Sequence, residues 1–350
     1  MSDQKSDPYD SPYLQDILDQ PRALAATIEA LRPRPEFNAL FRDLREGRRR
    51  RIVLTGMGGS FAVLHPLHLR LIDAGFDSIM VETSELLYAA PRLLAPENAV
   101  VAVSQSGSTA ETMRLLERKV PGSFIVGITN TPDSPLARRA DLAIVTLAGP
   151  EFAVSCKTSV TALVALDWLA EHGCGGRFED ALGEYRAMPA AFDSYLVHWK
   201  EHVDGLRTTL RGVRSFFTLG RGRSLTAANL GGMIPKEAAH VHGEGMSSAA
   251  FRHGAVEMLA SDVFTMVFEG DPAVSAFNRG MFQDILDHHG RAALVGREAP
   301  AGPFRLPAAP ARALPALELL PPQMASLAFA ALGGRRPAQF ERLEKVTTVE

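Results

Sequence analysis

Short apolar runs alternate with segments of helical apolar spacing over most of the chain. The first run, Ile52-Val53-Leu54, leads through a glycine-rich turn into residues 61–74, whose apolar positions recur every three or four residues. Further strands are predicted at 78–82, 99–104, 124–129 and 142–147, separated by helical segments such as 109–119 and 134–139. Strands that alternate with helices in this way predict a parallel sheet covered by helices on both faces.

The strand–turn–helix unit occurs a second time. The run 216–219 ends in G-R-G-R-S (220–224), which matches G-M-G-G-S (56–60) as G-x-G-x-S. Strands at 263–268 and 292–295, with a helix over 274–289, complete a second unit. We therefore predict an α/β protein with a helical lead-in (1–45), a first domain (46–195), a second domain (196–334) and a C-terminal tail (335–350).

Helical segments account for much of the remaining chain. One amphipathic helix is predicted over 13–31, and the first 45 residues have room for one or two helices. A long helical region follows the first set of strands, at 157–172 and then 178–210. Residues 297–315, rich in proline and alanine, are expected to be an extended connector before a last helix at 324–332.

Composition and charge narrow the function. The 350 residues contain 37 Lys and Arg against 40 Asp and Glu, a net charge of −3, so we expect no nucleic-acid partner. No apolar stretch approaches the roughly 20 residues that span a bilayer, so no membrane partner is expected. The two cysteines and the polar N-terminus favour the cytoplasm. His240 and His242 lack further ligands at zinc spacing, so we predict neither a metal nor a cofactor.

A cluster of hydroxyl side chains marks one strand end as a binding site. Ser104-Gln105-Ser106-Gly107-Ser108-Thr109 follows a predicted strand and opens a helix, as does the turn that contains Gly58 and Ser60. The carboxyl ends of parallel strands converge on one crevice, and free N–H groups at a helix start favour an anion. Hydroxyls and an amide, without a P-loop lysine, suit a sugar phosphate better than a nucleoside triphosphate.

These motifs resemble the sugar isomerase (SIS) domain family. The resemblance rests on S-Q-S-G-S-T (104–109) and on the segment G-P-E-F-A-V-S-C-K-T (149–158). From about residue 45 onward, the chain is similar to the tandem-SIS isomerase part of glucosamine-6-phosphate synthase. It is also similar to the related stand-alone deaminases, isomerases and deglycases. The family implies two tandem doubly wound, flavodoxin-like domains. It assigns the phosphate to the residues matching Gly58, Ser60, Ser104, Gln105, Ser106 and Thr109, and places Ser155 against the sugar.

The resemblance also implies catalytic residues. Lys236-Glu237 and Arg252-His253-Gly254 are similar to the family's K-E and K/R-H-G pair at the same separation, and L-E-K-V-T-T-V-E (343–350) is similar to its closing segment. Glu237 is then the base that moves a proton between neighbouring carbons, and His253 opens the ring. Lys345 engages the carbonyl. His253 enters the site from the adjacent subunit in the family, which implies a homodimer.

Two departures keep alternatives open. Ile234 stands where synthases carry a lysine, and Pro235 is expected to kink or start the helix near Glu237. Glu257 lies just after His253-Gly254, where deaminase-like and deglycase-like relatives often carry a similar residue. The sequence thus predicts a phosphosugar aldose–ketose isomerase or an amino-sugar-phosphate deaminase without a glutaminase domain. The alternatives are a fructosamine-phosphate deglycase and a non-catalytic sugar-phosphate sensor.

Overall fold

The computed structural model describes residues 9–342 and 345–347. It divides into two compact units, each built around one parallel sheet. The first-sheet unit contains residues 22–150, 157–186 and 345–347, and the second-sheet unit contains residues 9–21, 151–156 and 187–342. Each unit is therefore assembled from segments that are distant in sequence.

The first sheet has five parallel strands in the order β2-β1-β3-β4-β5. The strands are β1 Arg51–Thr55, β2 Ser78–Met80, β3 Asn98–Val103, β4 Phe124–Thr129 and β5 Leu142–Val145. Central β3 is buried along its whole length, which explains its continuous apolar sequence. The doubly wound α/β fold predicted from the sequence is confirmed.

Helices pack on this sheet from both sides. Those of the first-sheet unit are α3 Pro35–Arg45, α4 Gly59–Ala62, α5 His65–Asp73, α6 Thr83–Tyr88, α7 Ala110–Glu117, α8 Pro135–Arg139, α9 Lys157–Glu171 and α10 Phe178–Arg186, and α2 Gln20–Ala30 begins in the other unit. Leu86, Leu115 and Leu136 of α6, α7 and α8 pack on Val53 and Val100. Helix α5 packs against β2, helix α9 packs against β4, and the two helices contact each other. Nearly every residue of α9 is buried.

The second sheet has four parallel strands in the order β7-β6-β8-β9. They are β6 Ser215–Gly220, β7 His242–Ser247, β8 Val263–Phe268 and β9 Arg291–Val295. The helices of this unit are α1 Pro12–Leu18, α11 Met188–Leu196, α12 Trp199–Thr209, α13 Leu225–Ala239, α14 Ser248–Arg252, α15 Pro272–Asp287, α16 Leu314–Leu317 and α17 Leu320–Leu332. In the described part of the chain, no helix has the length and apolar character needed to cross a bilayer.

Edge strand β7 is absent from the sequence prediction because its glycines resemble a loop. The structure shows why glycine is required there. A Cβ on Gly245 would lie 2.0 Å from the Ala228 carbonyl oxygen, and a Cβ on Gly232 of α13 would lie 2.2 Å from the Gly245 nitrogen. The backbones of α13 and β7 thus touch directly, and a side chain at either glycine would separate them.

The expectation that a helix starts near Glu237 is wrong, and the alternative that Pro235 kinks the helix stays a prediction. Helix α13 does not start there but continues through Pro235 to Ala239, and His240 ends it in the left-handed conformation (φ 55°). Inside the helix Pro235 removes one N–H donor, and its ring crowds the carbonyl of the preceding turn. Glu237 therefore lies in the last turn of a long helix.

Prolines divide three of the predicted helical segments. The segment 13–31 breaks at Asp19, so that Pro21 falls in the first turn of α2. Pro66 and Pro189 likewise occupy the first turns of α5 and α11. A first turn tolerates proline because the backbone N–H groups of that turn have no hydrogen-bond partner within the helix. With α3, the described part of the first 45 residues holds three helices, more than the one or two expected.

A buried ion-pair network joins helices of the first-sheet unit. The guanidinium of Arg70 on α5 contacts Asp167 and lies 2.7 Å from Glu171 on α9. The Glu171 carboxylate has no solvent exposure, and the Tyr185 hydroxyl donates to Asp167 at 2.5 Å. Arg70 is thus the cation that compensates a buried carboxylate.

Replacing this cation is expected to destabilise the protein. Arg70→Leu leaves Glu171 buried without its cation, and such a loss costs about 3–5 kcal/mol. Arg48→Leu is the matched control because Arg48 pairs with Asp43 and Glu46 on the surface, where ion pairs contribute about 0–1 kcal/mol. Urea unfolding of the variants measures both effects, and equal midpoints would contradict the role given to Arg70.

Candidate functional site

The hydroxyl loop, Ser104 to Thr109, lies at the carboxyl end of central strand β3. Ser104 Oγ accepts the Gly107 N–H at 3.2 Å, and Ser106 Oγ accepts the Ser108 N–H at 3.3 Å. A serine oxygen that accepts a backbone N–H keeps its own O–H for donation. The turn therefore fixes hydroxyl donors that are available to an anion.

Thr109 joins this loop to α7. Its Oγ1 accepts the N–H of Thr112 at 3.4 Å, and its backbone is extended, as at a normal N-cap. The N-terminus of α7 carries a partial positive charge, which favours an anion beside it. Hydroxyls and a helix start thus occupy the same edge of the sheet.

The backbone of the loop is held by the loop after β4. The Gln105 carbonyl accepts the Asn130 N–H at 3.0 Å and the Thr129 hydroxyl at 3.1 Å. Gly107 has φ +62°, and a Cβ there would lie 2.3 Å from Ser134 Oγ. The Gln105 side chain is half-buried, so it extends the polar surface of the loop.

The turn after β1 supplies the other residues predicted to bind phosphate. Gly58 has φ 50° and is exposed, and Ser60 is half-buried. Helix α4 after this turn has four residues only, so Ser60 offers a hydroxyl rather than the N-terminus of a long helix. Because β1 and β3 are parallel neighbours, both turns lie at the same edge of the sheet.

The C-terminal tail returns to the hydroxyl loop. The Thr347 carbonyl accepts the N–H of Ala110, the first residue of α7, at 3.1 Å. Lys345, two residues earlier, is half-buried and belongs to the same unit. Residues 343–344 and 348–350 of the predicted closing segment lie outside the described residues. The sequence alone does not predict this hydrogen bond, because Ala110 and Thr347 are far apart along the chain.

The other predicted residues belong to the second-sheet unit. Glu237 and Ser155 are half-buried, and exposed His253 caps the C-terminus of α14. Burial raises the pKa of fully buried Tyr13 far above its usual value, with further contributions from Cys156, Glu237 and Glu151. Helix α1, the 151–156 segment and the end of α13 therefore lie within electrostatic range of each other.

Each unit thus groups part of the predicted set. The first-sheet unit holds Gly58, Ser60, Ser104, Gln105, Ser106, Thr109 and Lys345, and the second-sheet unit holds Ser155, Glu237 and His253. The roles assigned to these residues stay predictions. Tyr13 is a neighbour of Glu237 that the sequence analysis did not single out, because its apolar spacing is that of an ordinary core residue.

The second G-x-G-x-S turn differs from the first in being closed by a carboxyl group. Ser224 Oγ donates to Glu318 Oε1 at 2.9 Å, and Glu318 has no solvent exposure. Burial raises the pKa of Glu318 to about 8, against the lowering effect of the Ser224 hydrogen bond. The two turns share a sequence pattern, but in the second one a side chain of the protein stands beside the serine.

Fold and loops together define a class of protein: an α/β chain with a hydroxyl-lined loop at the carboxyl edge of a parallel sheet. Residues 47–172 match the SIS domain family, the family that the sequence motifs resemble. The match covers the first sheet. The second sheet has the same parallel topology, with four strands instead of five.

Known proteins resemble nearly the whole chain. A Pyrococcus horikoshii glutamine–fructose-6-phosphate aminotransferase (isomerizing) is 30% identical over 357 residues, an alignment that covers 98% of this chain and 58% of the relative. The chain thus spans little more than half the length of that curated relative. The C-terminal domain of the Francisella tularensis glucosamine-fructose-6-phosphate aminotransferase superposes with a TM-score of 0.81 at 22% identity, covering 97% of this chain and all of that domain.

Thermotoga maritima glucosamine-6-phosphate deaminase has the same fold. Its TM-score is 0.76 at 18% identity, and the superposition covers 97% of this chain and 100% of the deaminase. At these identities the two superpositions establish the architecture of the chain. Its chemistry must be argued from its own residues.

The left-handed glycine of the hydroxyl loop provides a first test. Gly107→Ala places a Cβ against Ser134 and strains the backbone, so we expect weaker phosphate binding together with lower stability. Gly183→Ala is the control, because no atom lies within 4 Å of a Cβ at this position of α10. Calorimetric titration with inorganic phosphate measures the effect, and equal affinities in both variants would contradict the geometry.

The buried carboxyl predicts a pH dependence. The folded pKa of Glu318 is about 8 and its ordinary value is 4.5, so the group disfavours the folded state increasingly as pH rises from about 4.5 to 8. Glu318→Gln removes that cost. Thermal melts should show little difference from wild type near pH 5 and a clearly more stable variant above pH 8. A difference independent of pH would contradict a raised pKa.

Proposed function

We propose that this chain is a phosphosugar enzyme, either an aldose–ketose isomerase or an amino-sugar-phosphate deaminase that acts on a hexose or hexosamine 6-phosphate. The observation that carries the proposal is the hydrogen bond between the Thr347 carbonyl and the Ala110 N–H. It brings the lysine-bearing tail to the helix start where the hydroxyl loop ends. A carbonyl-reactive amine close to an anion site is what a sugar-phosphate enzyme of this type needs.

The phosphate is held at the first sheet in this proposal. The hydroxyls of Ser60, Ser104, Ser106 and Thr109 donate to its oxygens, and the N-terminus of α7 stabilises its charge. Neutral donors exchange readily with water, so substrate and product can both leave. Gln105 adds an amide at the rim of the loop.

The chemical steps are divided among three side chains. His253 transfers a proton between the ring oxygen and the anomeric hydroxyl, which opens the sugar ring. Lys345 engages the carbonyl, and nucleophilic attack on it requires the neutral amine. Glu237 removes a proton from one carbon and returns it to the neighbouring carbon, so that aldose and ketose interconvert. With an amino sugar, hydrolysis of the resulting imine releases ammonia.

Two further features bear on this mechanism. His253 is exposed at the end of α14, as expected for a residue that acts in the site of a second copy, so we propose a homodimer. Ile234 is buried on α13, one turn before Glu237, at 2% exposure. An apolar residue therefore stands where synthases carry a lysine.

The decisive experiment separates the reactions. Purified protein is incubated with glucosamine 6-phosphate, and separately with fructose 6-phosphate with and without ammonia, while ketose, aldose and ammonia are followed. Ammonia and fructose 6-phosphate from the amino sugar establish the deaminase, and interconversion without ammonia establishes the isomerase. If the protein binds the sugar phosphates but does not turn them over, the enzyme hypothesis is wrong and the chain is a sugar-phosphate sensor.

A single substitution tests the assigned base. Glu237→Gln keeps the size of the side chain and removes the proton acceptor, so we expect kcat to fall by about 10²-fold or more with KM little changed. Glu201→Gln, at an exposed position of α12 in the same unit, is the control and should retain activity. Undiminished turnover in Glu237→Gln would remove Glu237 from the mechanism.

A further inference from the structure

A pocket lies in the second-sheet unit. Its volume is about 420 Å³, within the range of small-molecule sites. One wall comes from the corner between α11 and α12, and the other comes from the segment after edge strand β9. The polar side chains on its walls are Tyr195, His198, His202, Arg297, Glu298 and Arg305, together with Ser194. None of them belongs to the predicted catalytic or phosphate-binding set.

The walls of this pocket are fixed by hydrogen bonds. The hydroxyl of buried Tyr195 donates to the Pro303 carbonyl at 2.6 Å, which ties α11 to the segment after β9. That segment folds back on itself, because the Leu306 N–H donates to the Gly296 carbonyl at 3.0 Å and the guanidinium of Arg297 donates to the Ala309 carbonyl. These hydrogen bonds hold the backbone of the segment after β9 against itself and against α11.

The charge of the pocket is positive. Within residues 9–342 and 345–347, neither Arg297 nor Arg305 has a carboxylate at ion-pair distance, although Glu298 also stands on the wall. Two guanidinium groups against one carboxylate leave a surplus cation, and each guanidinium presents several N–H donors in a plane. Such donors match the oxygens of a phosphate group.

Two histidine rings also line the pocket. The rings of Tyr195 and His202 are 4.4 Å apart, and those of His198 and His202 are 6.1 Å apart. Burial, and then His198, lowers the pKa of His202, whereas Glu201 and a hydrogen bond to the Tyr195 backbone raise it. A ring of this kind faces a ligand without adding a buried charge, and an aromatic wall suits the apolar body of a small organic molecule.

We propose that this pocket binds a small organic phosphate, with the phosphate held between Arg297 and Arg305 and the organic part against Tyr195 and His202. The site is a second ligand site of the chain. It lies in the unit of the second sheet, whereas the hydroxyl loop lies in the unit of the first. A phosphorylated metabolite bound there can regulate the enzyme without competing for the substrate loop.

The test uses a signal that arises in the pocket itself. Protein labelled with ¹³C at the histidine ring is titrated with inorganic phosphate and with glucose 6-phosphate, and His198→Gln and His202→Gln assign the two resonances. We expect both resonances to shift, and we expect Arg297→Gln and Arg305→Gln each to weaken the apparent affinity about tenfold. Arg214→Gln, exposed just before β6 at the amino edge of the same sheet, is the matched control.

Each other outcome overturns the proposal. Resonances that do not respond to either phosphate, or that shift equally in the Arg305→Gln variant, exclude a phosphate site. If acetate shifts the resonances as much as phosphate does, the pocket has no preference for phosphate, and a carboxylate ligand would explain the data instead. Because the readout is local to His198 and His202, these results are independent of whether the hydroxyl loop binds substrate and whether Glu237 is the base.

Discussion

The contacts within the hydroxyl loop are the constraint on which the candidate site depends. Ser104 and Ser106 each accept an N–H from their own turn, and these hydrogen bonds do not use their O–H groups. The loop keeps this shape because Gly107 adopts a left-handed conformation and because the loop after β4 binds the Gln105 carbonyl. If an anion binds at this edge of the sheet, as we propose, donors in a fixed loop reduce the ordering entropy lost on binding.

The two halves of the chain share the G-x-G-x-S turn, but the surroundings of the turn differ. Both sheets are parallel, and both begin with a strand that ends in G-x-G-x-S. At the second turn Glu318 stands beside Ser224, buried and favoured in its neutral form. A carboxyl group of the protein then occupies surroundings that in the first half are open to a ligand. The repeat in sequence therefore indicates a repeat in architecture rather than in function.

Local patterns sufficed for much of the fold. Strands β4 and β8 coincide with their predicted ranges, because short continuous runs of apolar and β-branched residues are typical of buried strands in an α/β chain. Helix breaks at Pro21, Pro66 and Pro189 were missed, since apolar spacing continues across a proline that starts a new helix. Strand β7 was missed because its glycines serve contact with α13, a tertiary requirement that a window of sequence does not contain.

The candidate site was only partly accessible to such reasoning. The hydroxyl loop could be found from its composition and its place after a strand, and Glu237, His253 and Lys345 came from a family resemblance. The hydrogen bond from Ala110 to Thr347, the carboxyl of Glu318 beside Ser224 and the neighbourhood of Tyr13 are long-range contacts. They depend on how distant segments pack, which spacing along the chain does not specify.

The central claim is that the loop from Ser104 to Thr109 holds the phosphate of a sugar phosphate. A crystal structure of the protein soaked with fructose 6-phosphate tests it most directly. We predict phosphate oxygens within hydrogen-bonding distance of the Ser104, Ser106 and Thr109 hydroxyls, with the sugar extending toward the tail that carries Lys345. Sugar phosphate bound elsewhere, with this loop occupied by water alone, would contradict the account.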